Sequence, residues 1–206
     1  MGSFKQQKDD DELYALLRPG RDIYLKIAEV MNNTNHASVI LLIENMSYHA
    51  DTRIELLRYL KSNEYEGVYV TLNTPIANLI DIFEKSSINI ENIYFIDGIT
   101  KTTESEIIES EHCRYLESPR DVVDLSFLID EFLNKIKHPK RFVVIDSIST
   151  LMVYNSEQAI KQFAHSVTGK IKSKKASGVI IASDDTDKDA LNSIAHFCDK
   201  TLKLSN

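Results

Sequence analysis

The side chains best placed for chemistry are polar residues that each close a short apolar run. Glu44-Asn45 follows Val39-Ile-Leu-Leu-Ile43, and Asn73-Thr74 follows Gly67-Val-Tyr-Val-Thr-Leu72. Asp97 ends Asn92-Ile-Tyr-Phe-Ile96, Asp146-Ser147 ends Arg141-Phe-Val-Val-Ile145, and Ser183-Asp184 ends Gly178-Val-Ile-Ile-Ala182. A carboxylate fixed at the end of a buried strand can support a divalent cation, act as a general base, or tie down the next loop. In an open α/β sheet, ligands sit beyond the carboxyl ends of the strands, so this set marks where a site would lie. Asn73 reads most simply as a loop residue assisting the start of the following helix. His49, with no partner in register, reads as an exposed loop residue.

The other candidates read as structural. Asp184-Asp-Thr-Asp-Lys-Asp189 stands at a helix entrance, where acids are favoured by the helix dipole. It lacks the glycine and terminal glutamate of an EF-hand loop. Asp9-Asp-Asp-Glu12 is a solvated run or a helix cap. His36, His112, His138, His165 and His196 show no ligand spacing, and no Ser-His-Asp or Cys-His arrangement emerges. Cys113 and Cys198 each lie beside an apolar run and are expected to be buried, reduced thiols.

The elements that must position these residues alternate between two periodicities. Ser38–Ile43, Gly67–Leu72, Asn92–Asp97, Cys113–Leu116, Arg141–Asp146, Gly178–Ser183 and Lys200–Leu204 predict about seven strands, most of them apolar enough to be buried on both faces. Between them, helical spacing runs through Ile54, Leu57 and Leu60, through Ile76, Leu79, Ile80 and Phe83, and through Leu125, Leu128, Ile129 and Phe132. It returns in Ile160, Phe163, Val167 and Ile171, and in a segment from Asp187 to Phe197. Thr74-Pro75 and Ser118-Pro-Arg-Asp121 carry helix-start signals, and Ser156 opens another helix after a loop. Thr100 to Glu111 predicts an exposed loop. Upstream, Asp11–Leu17 and Asp22–Met31 suggest helices broken by Arg18-Pro-Gly-Arg21. Repeated β–α–β alternation implies an α/β protein with a mostly parallel sheet covered on both sides. Residues 1–36 form an N-terminal helical extension, with 1–9 expected to be disordered, and 37–206 form the α/β domain.

Composition narrows the function. A chain of 206 residues is long enough for one substantial core. The net charge is −7, and the densest basic run, Lys170-Ile-Lys-Ser-Lys-Lys175, falls at a helix end, which disfavours nucleic-acid binding. No run approaches the ~20 apolar residues of a membrane helix. The N-terminus has no apolar signal-peptide core, so a cytoplasmic location is expected.

Taken in order, Gly67–Pro75, Asn92–Asp97, Arg141-Phe-Val-Val-Ile-Asp-Ser-Ile-Ser-Thr-Leu151 and Gly178–Ser183 resemble the KaiC-like branch of the RecA-type ATPase superfamily. The resemblance implies a three-layer αβα, P-loop NTPase-like fold from about residue 38 onward. It makes Asp146 the counterpart of the family's magnesium-supporting Walker B acid. It also implies a vestigial nucleotide site at Asn45, Ser47, Asp51, Thr52, Asn73, Asp146, Ser147 and Ser183.

Two departures set this chain apart. A glycine-rich loop ending in Lys-Ser/Thr should follow the first strand, its N–H groups and lysine holding phosphate. The stretch Glu44-Asn-Met-Ser-Tyr-His-Ala-Asp-Thr-Arg53 has no glycine and no lysine, and it adds two acids. Asn73 and Thr74 stand where the family carries glutamates before proline, and neither is a carboxylate base. Without a phosphate loop, Asp146 is expected to be a residual polar strand end that caps the next loop. The leading expectation is a pseudo-ATPase without cofactor. Such a chain would serve as a regulatory or scaffolding module, and the resemblance implies an archaeal signalling context. Its partners would be proteins, including itself or an active RecA/KaiC-like relative.

The alternative is an atypical nucleotide sensor or ATPase that uses ATP and magnesium, with Arg53, Arg120, Lys170 or Lys174 supplying charge. A third expectation is a phosphate-accepting receiver with Asp97 as the acceptor, although Glu44 is followed by Asn45 rather than a second acid.

Overall fold

The computed structural model describes residues 20–35, 37–103, 107 and 110–204. The proposed helix at Asp11–Leu17, the segment 1–9 and His36 lie outside them. The chain runs α1 (Arg21–Asn32), β1 (Val39–Glu44), a 3-10 turn (Met46–Tyr48), α2 (His49–Ser62), β2 (Glu66–Thr71), α3 (Ile76–Lys85) and β3 (Ile93–Asp97). A second 3-10 turn (Thr100–Thr102), β4 (Cys113–Tyr115), α4 (Val122–Lys135), β5 (Arg141–Asp146) and α5 (Ile148–Tyr154) follow. The chain then forms α6 (Glu157–Ser173), β6 (Ala176–Ser183), α7 (Lys188–Ala195) and β7 (Lys200–Leu204).

The seven strands form one sheet in the order β4-β3-β2-β5-β6-β1-β7, and every pairing is parallel. Alternate side chains of each strand feed two cores. Val39, Leu41, Val68, Val143 and Ile145 pack under α4, α5, α6 and α7. Ile40, Leu42, Tyr69, Phe142 and Val144 pack under α1, α2 and α3. Coverage on both faces explains the continuous apolar runs. Burying one aliphatic side chain contributes about 1.5–3 kcal/mol, more than the ~1 kcal/mol span of strand propensity. One close approach requires glycine: a Cβ on Gly67 would stand 2.3 Å from the carbonyl oxygen of Phe142, its register partner on β5.

Helix α1 packs Ile23, Ile27 and Met31 into the second core, so this part of the extension is built onto the domain. The lysines of the basic run end α6: Lys170 donates to the Ser126 carbonyl and hydroxyl, and Lys172 pairs with Asp199 at 2.9 Å. The acidic cluster caps α7, where Asp187 accepts from the amides of Asp189 and Ala190.

Three local expectations differ from the structure. Helix α4 starts at Val122, because the Ser118 hydroxyl accepts from the Arg120 amide in a preceding turn and is spent there. The stretch after Ser147, expected to be a loop, is helix α5, pinned by buried Ile148 and Leu151. Helix α2 begins at His49 rather than near Thr52 and takes up residues that a phosphate loop would need.

Candidate functional site

A cavity of about 760 Å³ lies over the carboxyl ends of β1, β5 and β6, walled by α5, the start of α6 and one side of α7. Of the residues expected at a nucleotide site, it gathers Asn73, Ser147 and Ser183. Asn45, Ser47, Asp51, Thr52 and Asp146 do not line it. Glu44, His49, Ser149, Thr150, Asp185 and Thr186 do.

The segment after β1 folds on itself. The Asn45 side-chain oxygen accepts from the amide and hydroxyl of Ser47, and its Nδ2 donates to Asp184 at 3.0 Å. Asp51 lies in the first turn of α2. Thr52 is fully buried, and its hydroxyl has no partner among the described residues. His49 is not a free loop residue: it opens α2, and its Nδ1 meets Glu44 Oε1 at 2.5 Å.

Beneath the cavity, Asp146 is fully buried, and its carboxylate turns to Arg53 and Tyr69 instead of capping the loop that follows. Arg53 Nε donates to its Oδ2 at 2.5 Å and Nη2 to its Oδ1 at 3.2 Å. The Tyr69 hydroxyl donates to Oδ2 at 2.7 Å, and Arg53 Nη1 reaches the Thr74 hydroxyl at 3.1 Å. Burial alone would lower the Arg53 pKa, but the adjacent Asp146 carboxylate turns the net shift upward. Burial pushes the Tyr69 phenol well above its ordinary range, with Asp146 adding to the shift, so Tyr69 remains a donor. Both oxygens of Asp146 are therefore held by protein donors. Arg53 already supplies the positive charge beside this carboxylate, and residues 45–52 contain no glycine and no lysine, so these residues do not fit a magnesium nucleotide.

Asn73 does not support the start of α3. Its Nδ2 approaches the Ser147 hydroxyl at 3.4 Å, and its oxygen accepts from Thr150. The Ser149 hydroxyl meets Thr186 at 2.7 Å and accepts from the Ser183 amide at 2.9 Å. Asp97 is engaged as well: it accepts from the amides of Ile76, Ile99 and Thr100 and from the Thr100 hydroxyl. That carboxylate anchors α3 and is not presented as a phosphoryl acceptor. Of the cations considered for phosphate, Arg53 is committed to Asp146 and Lys174 to Asn134 and Asp130, while Lys170 holds Ser126. Arg120 does not line the cavity. Burial raises the thiols of Cys113 and Cys198 to about 11 and about 12.

Sequence reasoning missed Arg53 and Tyr69 as partners of Asp146. Their traces were an arginine on the buried side of α2 and a polar-tipped aromatic between Val68 and Val70 in a buried strand.

A parallel sheet in this order, helices on both faces and a cavity over the strand ends make a three-layer α/β fold. The fold matches the crystal structure of the KaiC-like protein PH0186 from Pyrococcus horikoshii OT3 with a TM-score of 0.63 and 13% identity, covering 86% of this chain and 77% of that one. It also matches uncharacterized protein PH0321 from Pyrococcus horikoshii, in complex with an unknown peptide, with a TM-score of 0.67 and 14% identity, covering 86% and 81%. The sequence model of a family of unknown function, DUF7504, matches residues 92–204, and the chain belongs to that family. No curated protein matches it. Among the described residues, no helix is long and apolar enough to cross a membrane.

Proposed function

We propose that this chain is a pseudo-ATPase: a RecA/KaiC-like domain that neither binds nor hydrolyses ATP and works as a regulatory or scaffolding interaction module. The observation that carries this reading is the buried Arg53–Asp146–Tyr69 network, which commits the carboxylate that would support magnesium to protein donors. The absence of glycine and lysine after β1 and the neutral Asn73-Thr74 pair point the same way. Apolar side chains left exposed around the cavity, Met46 at 78% and Val153 at 79%, suit a surface that meets another protein. A protein of the same fold, PH0321, is in complex with a peptide, which agrees with that use of the fold.

One observation favours the alternative of an atypical nucleotide sensor: the cavity has the volume of a small-molecule site. Its acidic lining, with Glu44, Glu157, Asp185 and Asp187, opposes a triphosphate. A phosphate-release assay on purified protein with magnesium and ATP tests the proposal. No release above buffer is expected; release that Asp146→Asn abolishes would overturn it.

A further inference from the structure

Glu44 and Ser183 stand side by side in the β1–β6 register at the floor of the cavity. Glu44 is 2% exposed, and while one carboxylate oxygen meets His49, the other has no partner among the described residues. The Ser183 hydroxyl is likewise buried and unpartnered. Leaving such an atom unpaired is costly, and a carboxylate is completed best by a charged donor. The surrounding charge has the matching sign. Among the described residues, Lys161 is the one lysine or arginine on the lining, and it is taken by Glu157 at 2.6 Å. Asp185 is exposed at the rim, and Met152, Ile160 and Ile194 supply apolar walls.

We propose that the cavity takes a lysine or arginine side chain of a protein partner, its cationic head between Glu44 and Asp185 and its stem along Met152 and Ile160. His49, with 32% of its side chain exposed, lies over Glu44 and turns outward to admit the head group. This inference rests on reading the strand-end cavity as a protein-binding rather than a nucleotide site.

The test titrates the whole chain with acetyl-Leu-Ala-Arg-Ala-Leu-amide, with its citrulline counterpart, with agmatine and with magnesium ATP, followed by calorimetry and amide NMR. The arginine peptide is expected to bind at least about tenfold more tightly than the neutral citrulline peptide. It should shift the amide resonances of Ser183 and Thr186. Glu44→Gln should weaken binding by a similar factor. Asp185→Asn, an exposed change that leaves the fold intact, should weaken it by about threefold. Equal affinity for the citrulline peptide, or no effect of Asp185→Asn, would overturn the inference. Agmatine binding as tightly as the peptide would overturn the assignment to a partner's side chain. Binding of magnesium ATP would instead overturn the underlying pseudo-ATPase reading, whereas failure of every probe would remove only the present inference.

Discussion

Replacing Arg53 with methionine keeps most of the aliphatic stem and removes the guanidinium. Asp146, with no exposure to solvent, then loses the bonds at 2.5 and 3.2 Å and keeps only the one from Tyr69. Removing one partner of a buried ion pair leaves an uncompensated charge and costs about 3–5 kcal/mol. A domain of this size has about 5–15 kcal/mol in total, so the loss is large. At about 2–4 °C per kcal/mol, the midpoint should fall by about 6–20 °C. The assay is thermal and urea unfolding followed by far-ultraviolet circular dichroism, since the chain has no tryptophan. The double variant Arg53→Met/Asp146→Leu removes both charges and should recover at least half of the loss, giving a favourable coupling between the two sites. A single-variant cost below about 1 kcal/mol, or strictly additive losses, would refute the claim that Arg53 is the fixed counterion of Asp146.

Two glycines should respond in opposite directions. Gly67→Ala drives a methyl into the Phe142 carbonyl and should cost at least about 1–3 kcal/mol. Gly169→Ala, inside α6 with nothing within 4 Å of the new carbon, should add up to about 1 kcal/mol; chemical denaturation of each variant checks both signs. Asp199 fixes the start of β1 through the Val39 amide and pairs with Lys172; burial acts against these contacts, yet they leave its pKa below the ordinary value. Its contribution should be complete above the unfolded value of about 3.9 and lost as pH falls toward the folded one, so wild type and Asp199→Asn should converge in acid urea melts. With thiols raised to about 11 and about 12, Cys113 and Cys198 should alkylate slowly at neutral pH in the native protein and rapidly in urea.

Much of the fold was legible because most strands are buried on both faces and therefore spell continuous apolar runs. The caps at Ser156 and Asp187 were legible because their bonds are local. Helix α5 was hidden because seven residues are too few for a periodicity to declare itself. At the site, the strand-end positions of Asn73, Asp146, Ser147 and Ser183 could be read from topology alone. The partners of Asp146 could not, since Arg53 and Tyr69 lie 93 and 77 positions away in sequence and only packing brings them together. Asn73 was misjudged for the same reason, bridging to Thr150 77 positions on, whereas His49 closes on Glu44 only five positions back.

The most direct test of the pseudo-ATPase reading is calorimetric titration of the purified chain with ATP and ADP, with and without magnesium. With Arg53 holding Asp146 and no phosphate cradle after β1, no heat of binding is expected under either condition. Magnesium-dependent binding that Asp146→Asn abolishes would contradict that reading and make the cavity a nucleotide site.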